Sequence, residues 1–266
     1  MSYLKDFTLG QYIPGESLIH RLDPRTKLLC VLALMLTVFV VSTIPWMAGI
    51  FLLSVILFPC AGIPFGTMAA YLRSFAWLYL ITFVFHLVFH DGRVIFNIPV
   101  LPLAVTVEGF FAGTLFTIRI AVLINLSMLL MAVTTPQDLT DGLERMFAPL
   151  RFLKIPVSEG ALIVSIALRF VPILMQEARQ IRAAQLSRGA DFDGPWLVRV
   201  RKTLPMLFPL FMGALQRADD LAVAMEARGY QSGSKRTRLI ELKFRAVDLA
   251  AIVLFSCLTL TLLYVT

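Results

Sequence analysis

Two short tags carry the residue types best suited to gripping another protein. They are Ser187-Arg188-Gly189 and Ala227-Arg228-Gly229. Each sets a small residue, an arginine and a glycine at the end of a run of roughly 25–35 helix-compatible residues, several times an ordinary helix. A guanidinium is planar, permanently charged and able to make a forked bond to a carboxylate. At an exposed helix tip, between residues too small to obstruct it, it can enter a narrow groove. Each tag alone also reads as a helix stop. Glycine accepts the left-handed conformation there, and arginine suits the negative helix end. The two arginines are 228 − 188 = 40 residues apart, on helices of one design, which weighs against helix stops alone.

Other polar residues in apolar stretches invite chemistry. His86 and His90 are one helical turn apart and precede Asp91. They could share a metal ion, but no third ligand is placed, and polar residues ending a span are the simpler account. Arg119 and Asn125 fall inside a long apolar run. An intramembrane arginine is a candidate functional residue, while snorkelling or packing against another subunit would explain it equally well. Arg169 beside Pro172 reads as an interfacial charge at a bend. Cys30, Cys60 and Cys257 are far apart in apolar runs and read as small buried hydrophobes. There is no Walker A loop, no G-x-S-x-G and no His-Glu-x-x-His. The chain is expected to have no catalytic residues, no metal site and no cofactor.

The tags must be positioned by membrane helices. Of the 266 residues 58% are hydrophobic and 15% charged, against about 45–50% and 25% in soluble domains. The formal charge is +7, and residues 134–245 hold 17 Lys+Arg and 11 Asp+Glu, a net of +6. A basic block joined to apolar spans reads as cytoplasmic. A reader motif for nucleic acid is absent, so no nucleic-acid partner is expected. The N-terminus lacks the pattern of a cleavable signal peptide.

The lead-in His20-Arg21-Leu22-Asp23-Pro24-Arg25-Thr26-Lys27 places the N-terminus inside, with Asp23 as helix cap and Pro24 at the first helical position. Apolar stretches follow over Leu28–Ser42, Trp46–Ile63, Ala69–His90 and Leu103–Val133. Four spans return the chain to the inside and leave the loop Asp91 to Pro102 outside. The fourth stretch is overlong for a bilayer and must tilt, bend or protrude. Thr134-Thr135-Pro136-Gln137-Asp138 opens a short amphipathic helix at the membrane surface. Two long helices follow, each greasy first and polar at its tagged end. The apolar half of the first, Ala161 to Met175, is too short to span. A polar stretch from Gln231 to Lys243 leads to a fifth span, Ala246–Val265, which puts the C-terminus outside.

The expected fold is therefore an all-α integral membrane protein. It has four N-terminal spans, three cytoplasmic or interfacial helices and one C-terminal span. The expected regions are 1–133, 134–244 and 245–266.

Several stretches resemble the transmembrane T component of energy-coupling factor (ECF) transporters, ATP-driven prokaryotic importers of vitamins and of nickel or cobalt ions. They are Ser165-Ile166-Ala167-Leu168-Arg169-Phe170-Val171-Pro172, Ala184-Gln185-Leu186-Ser187-Arg188-Gly189-Ala190, and the run from Arg217 to Tyr230. The lead-in and Thr134-Thr135-Pro136 also look typical of it, and the likeness covers essentially the whole chain. The first tag has Ser187 where alanine is commoner.

The resemblance implies that the three helices between Pro136 and Gly229 are coupling helices. It implies that the tips bearing Arg188 and Arg228 dock on two ABC ATPase subunits. The apolar halves, with Ile163, Ile166, Phe170, Leu207, Phe208 and Phe211, would form a platform for a substrate-binding S component. The chain itself would be non-catalytic and sit in the cell membrane of a prokaryote. Three other readings stand beside this one: a conventional permease, an intramembrane enzyme and a membrane scaffold without transport.

Overall fold

The computed structural model describes residues 12–98, 103–231 and 244–265. Residues 1–11, 99–102, 232–243 and 266 lie outside them, so the expectations for those segments do too. The described residues are almost entirely helical, with one two-stranded hairpin. They divide into two compact units. The described residues of Met1–Arg145 and Ile240–Thr266 form one, and those of Met146–Leu239 form the other.

In the first unit, α1 (Pro24–Val40) opens as the sequence predicts. Asp23 Oδ1 accepts the Arg25 amide at 2.9 Å, and Pro24 takes the first position. After α2 (Ile44–Cys60), the third apolar stretch is not one helix. It forms α3 (Phe65–Ser74) and α4 (Ala76–Phe89), bent by 52° at Phe75. The Phe75 amide bonds to Leu72 O at 3.1 Å, the i−3 bond that tightens a final turn, and its φ of −100° with ψ of 9° is not helical.

The fourth stretch is corrected at its start. Leu103–Thr106 is strand β2, paired antiparallel with β1 (Val94–Ile98), so the loop expected at 91–102 is partly a hairpin. β-Branched Val94, Ile95, Val105 and Thr106 favour that conformation. Helix α5 then begins at Val107 and runs to Val133, 27 residues or about 40 Å. Thr106 sets the boundary: its hydroxyl accepts the Gly109 amide at 3.1 Å and donates to His90 O at 2.8 Å.

Helix α5 is the centre of this unit and packs on α1, α2 and α4. Val122 and Leu126 of α5 meet Leu34 and Val38 of α1 and Met47 of α2 in one buried cluster. A second cluster joins Met128 and Ala132 of α5 to Phe58 of α2 and Met68 of α3. Gly109 and Gly113 form a small-xxx-small pair against α4. A Cβ at Gly109 would stand 2.7 Å from His86 O, and one at Gly113 would stand 3.1 Å from Phe83 O. Small residues at that spacing let helix backbones approach closely in a membrane.

Helix α9 (Ala246–Val265) packs along α1. Buried Asp248 ties the two starting points together. Its Oδ1 accepts the Asp23 amide at 2.7 Å and its Oδ2 the Arg245 amide at 2.8 Å. Leu262 near the other end of α9 joins the cluster that holds Val38 and Val41. The two helices therefore run parallel. At the same end, Lys27 Nζ donates to Val133 O and His20 O, both at 2.9 Å. Lys27 is thus a buried clamp rather than a free surface charge. Asp248→Ala strands two amides and should lower stability by about 2–4 kcal/mol, with Asp248→Asn retaining part of the loss. Thermal unfolding in detergent measures this.

Helix α6 (Pro136–Met146) starts as expected. The Thr135 hydroxyl accepts the Asp138 amide at 3.1 Å and donates to its carboxylate at 2.7 Å. A short 3₁₀ helix, Ala148–Leu153, precedes α7 (Val157–Ser187) and α8 (Trp196–Ala227) in the second unit.

By length and composition, α5 and α7 can cross a membrane, as can α3 with α4 if the bent pair is one span. That corrects the expectation for α7. The helix begins just after Pro156, where the proline places its start, and counting from Val157 rather than Ala161 gives it a span-length apolar window. Helix α2 and residues Ala246–Leu262 of α9 are apolar but shorter.

Candidate functional site

The two tags end their helices with the same hydrogen-bond pattern. At the end of α7, the Gly189 amide bonds to Leu186 O at 3.0 Å and the Ala190 amide to Gln185 O at 3.0 Å. At the end of α8, the Gly229 amide bonds to Glu226 O at 2.9 Å and the Tyr230 amide to Met225 O at 3.0 Å. Each is a Schellman motif, with glycine in the left-handed position just past the cap. The φ angles are +83° at Gly189 and +74° at Gly229. Among the described residues nothing lies within 4 Å of a Cβ built on either glycine, and the left-handed φ is what demands it. Gly189→Ala and Gly229→Ala should each cost about 1–2 kcal/mol of local stability. Faster amide exchange confined to residues 188–190 and 228–230 measures this.

The helix-stop account of the glycines therefore holds, and it leaves the arginines over. Arg188 and Arg228 both occupy the cap position, where only their backbones are used. Both are exposed, and neither guanidinium has a hydrogen bond or ion pair among the described residues. Ser187 and Ala227 beside them are exposed as well. Two unpaired planar cations thus stand at two tips of identical backbone shape.

The platform residues lie on the same two helices. Ile163 on α7 and Leu207, Phe208 and Phe211 on α8 are exposed, with Phe208 at 71%. Ile166 and Phe170 are half-buried. No described residue of α7 is buried, and only Met206 is buried on α8. Apolar faces left open on this scale mark an interaction or membrane surface.

The turn between the helices is built from charge. Lys202 Nζ donates to Asp191 Oδ2 at 2.8 Å and to Asp193 O at 3.0 Å, and Asp191 Oδ1 accepts the Asp193 amide at 2.8 Å. The Lys202 ammonium, followed by the Asp193 amide, holds the Asp191 carboxyl below the usual carboxylate range. The clamp is therefore present at neutral pH and is lost as that carboxyl protonates in acid. Arg182 lies over the buried Phe192 ring at 5.5 Å.

These contacts mark a membrane protein with two presented tips, and comparison with known proteins identifies its kind. Residues 15–239 match a family described as cobalt transport protein. Three relatives share the description energy-coupling factor transporter transmembrane protein EcfT. That of Thermosediminibacter oceani is 43% identical over 94% of each chain, and that of Bacillus subtilis is 41% identical over 92% of each. The Lactococcus lactis relative is 36% identical over 98% of each.

The chain belongs to the EcfT family. It is a transmembrane component of an ECF transporter.

In this EcfT-family chain, Arg119, His86 and Asn125, singled out from sequence, have structural partners. Arg119 Nε donates to Val38 O at 3.0 Å and its Nη2 to Val41 O at 2.7 Å, and the guanidinium lies 4.8 Å from the Phe116 ring centre. It caps the end of α1 from α5. His86 stacks on Phe116 at 4.3 Å, and its Nδ1 bonds to Thr82 O at 2.9 Å. No metal-ligating cluster occurs among the described residues. Asn125, fully buried, donates to Ser54 Oγ at 3.4 Å.

Sequence reasoning missed the Gly109/Gly113 pair, although its spacing was visible. It also missed the ion pair between Glu177 of α7 and Arg217 of α8, whose only sequence signal is that it repeats the 40-residue offset of the tags.

Proposed function

We infer that this chain couples ATP hydrolysis by two ABC ATPase subunits to an S component that carries a vitamin or transition-metal ion. The observation that carries this is the pair of exposed, unpartnered arginines on twin Schellman ends. Each guanidinium enters a groove on one ATPase and makes a forked bond to a carboxylate there. ATP binding closes the ATPase pair and moves the docked tips. Helices α7 and α8 carry the motion to the platform at Ile163, Ile166, Phe170, Leu207, Phe208 and Phe211, where the S component reorients and releases its cargo.

The chain is a non-catalytic subunit of the prokaryotic cell membrane. Its N-terminus and the tagged ends of its coupling helices face the cytoplasm, and its C-terminus faces outside. The parallel pairing of α1 with α9 supports that assignment of the ends. Four spans lie before the coupling region at 134–244 and one after it. Cargo choice resides in the S component. Purification from native membranes, followed by mass spectrometry, should recover two ATPases and a small substrate-binding membrane protein. Recovery of the chain without an ATPase would overturn the proposal.

A further inference from the structure

We propose that Glu177 and Arg217 form a pivot that fixes the placement of one arginine tip relative to the other. The pair joins α7 to α8 directly. Its residues are 217 − 177 = 40 apart, as are the tip arginines. Glu177 lies 188 − 177 = 11 residues before Arg188, and Arg217 lies 228 − 217 = 11 before Arg228. Each tip therefore stands about 16 Å of helix beyond the contact. The two arms are equal.

Glu177 and Arg217 occupy corresponding positions of the two helices, counted back from their tips. Two glutamates or two arginines there would repel. One of each replaces repulsion with a charge-assisted bond of defined direction. Helix α8 makes room for it at Gly213, one turn before Arg217. A Cβ at Gly213 would come within 2.7 Å of Glu177 Oε1.

The pair joins the two helices where their described residues bury almost no side chain. The helices carry one buried residue between them among those described, Met206. The Lys202 clamp lies at the turn, away from the Arg228 end. The side chains of Glu177 and Arg217 are only 21% and 36% exposed, so water screens the pair incompletely. Glu177 and Arg217 are positioning residues for the docking proposed above, on which their role in transport rests.

The test uses the full chain in lipid nanodiscs, with the three cysteines replaced by serine. Spin labels are placed through Ala183→Cys and Val223→Cys, exposed positions again 40 apart and outside the tags. Pulsed electron paramagnetic resonance then reads the distance between the two arms. The parent chain should give one narrow distribution. Glu177→Gln and Arg217→Gln should each lose it. The exchange Glu177→Arg with Arg217→Glu keeps one charge of each sign at the contact and should restore it.

A Glu177→Gln chain with an unchanged distribution overturns the pivot. So does an exchanged chain that stays broad while keeping the parent's helical content by circular dichroism. In the assembled transporter, Glu177→Gln should retain both ATPases, since both tips are intact. Its uptake per ATP hydrolysed should fall about tenfold, the size of an ordinary coupling energy. If the parent chain recovers no ATPase, the docking proposal fails, and the distance measurement still decides the pivot.

Discussion

Arg188→Ala combined with Arg228→Ala should abolish recovery of the ATPases with this chain, and ATP-driven uptake with it. Each guanidinium is exposed and unpartnered, so removing it disturbs no bond among the described residues. The cap bonds at both tips are backbone to backbone and survive the substitution. Helical content should therefore be unchanged, which separates lost docking from lost folding. Truncating one partner of a desolvated, hydrogen-bonded charge pair costs about 2–5 kcal/mol, because the other charge is left buried and alone. One substitution should thus weaken its contact about a hundredfold or more. The two sites act on one body, so the surviving tip still tethers the complex in a single variant, and only the double variant loses both holds. Lysine at both sites keeps the charge without the planar fork and should recover the ATPases poorly. Full recovery with the double alanine chain would remove the arginines from the docking model.

Arg119→Leu should strongly destabilise the first unit. Helix α1 stops at Val40, and its last carbonyls have no following turn to accept from. Arg119 supplies two donors from α5, at 3.0 Å to Val38 O and 2.7 Å to Val41 O. Val38 and Val41 are fully buried, so water cannot take over readily. Leucine fills much of the space and leaves two orphaned acceptors. The expected loss is about 2–4 kcal/mol, or about 5–15 °C in Tm for a chain of this size. Arg119→Lys can satisfy one carbonyl and should lie between. Docking of the ATPases should be unaffected at temperatures where the variant is folded. A leucine variant as stable as the parent would refute the capping role.

Local structure was legible where the responsible residues are neighbours in the chain. Asp23 with Pro24, Thr135 with Asp138, and both Arg-Gly tags act within a few residues of themselves. The family resemblance rested on the same stretches. The errors fell where a local pattern has two outcomes. Leu103–Thr106 is apolar enough for a helix, yet pairing with Val94–Ile98 makes it strand. The bend at Phe75 has no proline or glycine to announce it. The start of α7 at Pro156 was legible, but the apolar half was counted from Ala161 alone, which leaves out Val157 and the span-length window it opens.

By itself, the sequence determined that this is a helical membrane protein with two equivalent glycine-capped tips, each offering an arginine. Composition sets the first property, and short-range backbone bonds set the second. Only the tertiary structure decided what the internal charges do. Arg119 reaches carbonyls 78 and 81 residues away, Asp248 an amide 225 away, and Glu177 a guanidinium 40 away. Such partners are chosen by packing, because a charge in a poorly solvated site must find whichever opposite group the fold brings near. Spacing along the chain does not record that choice.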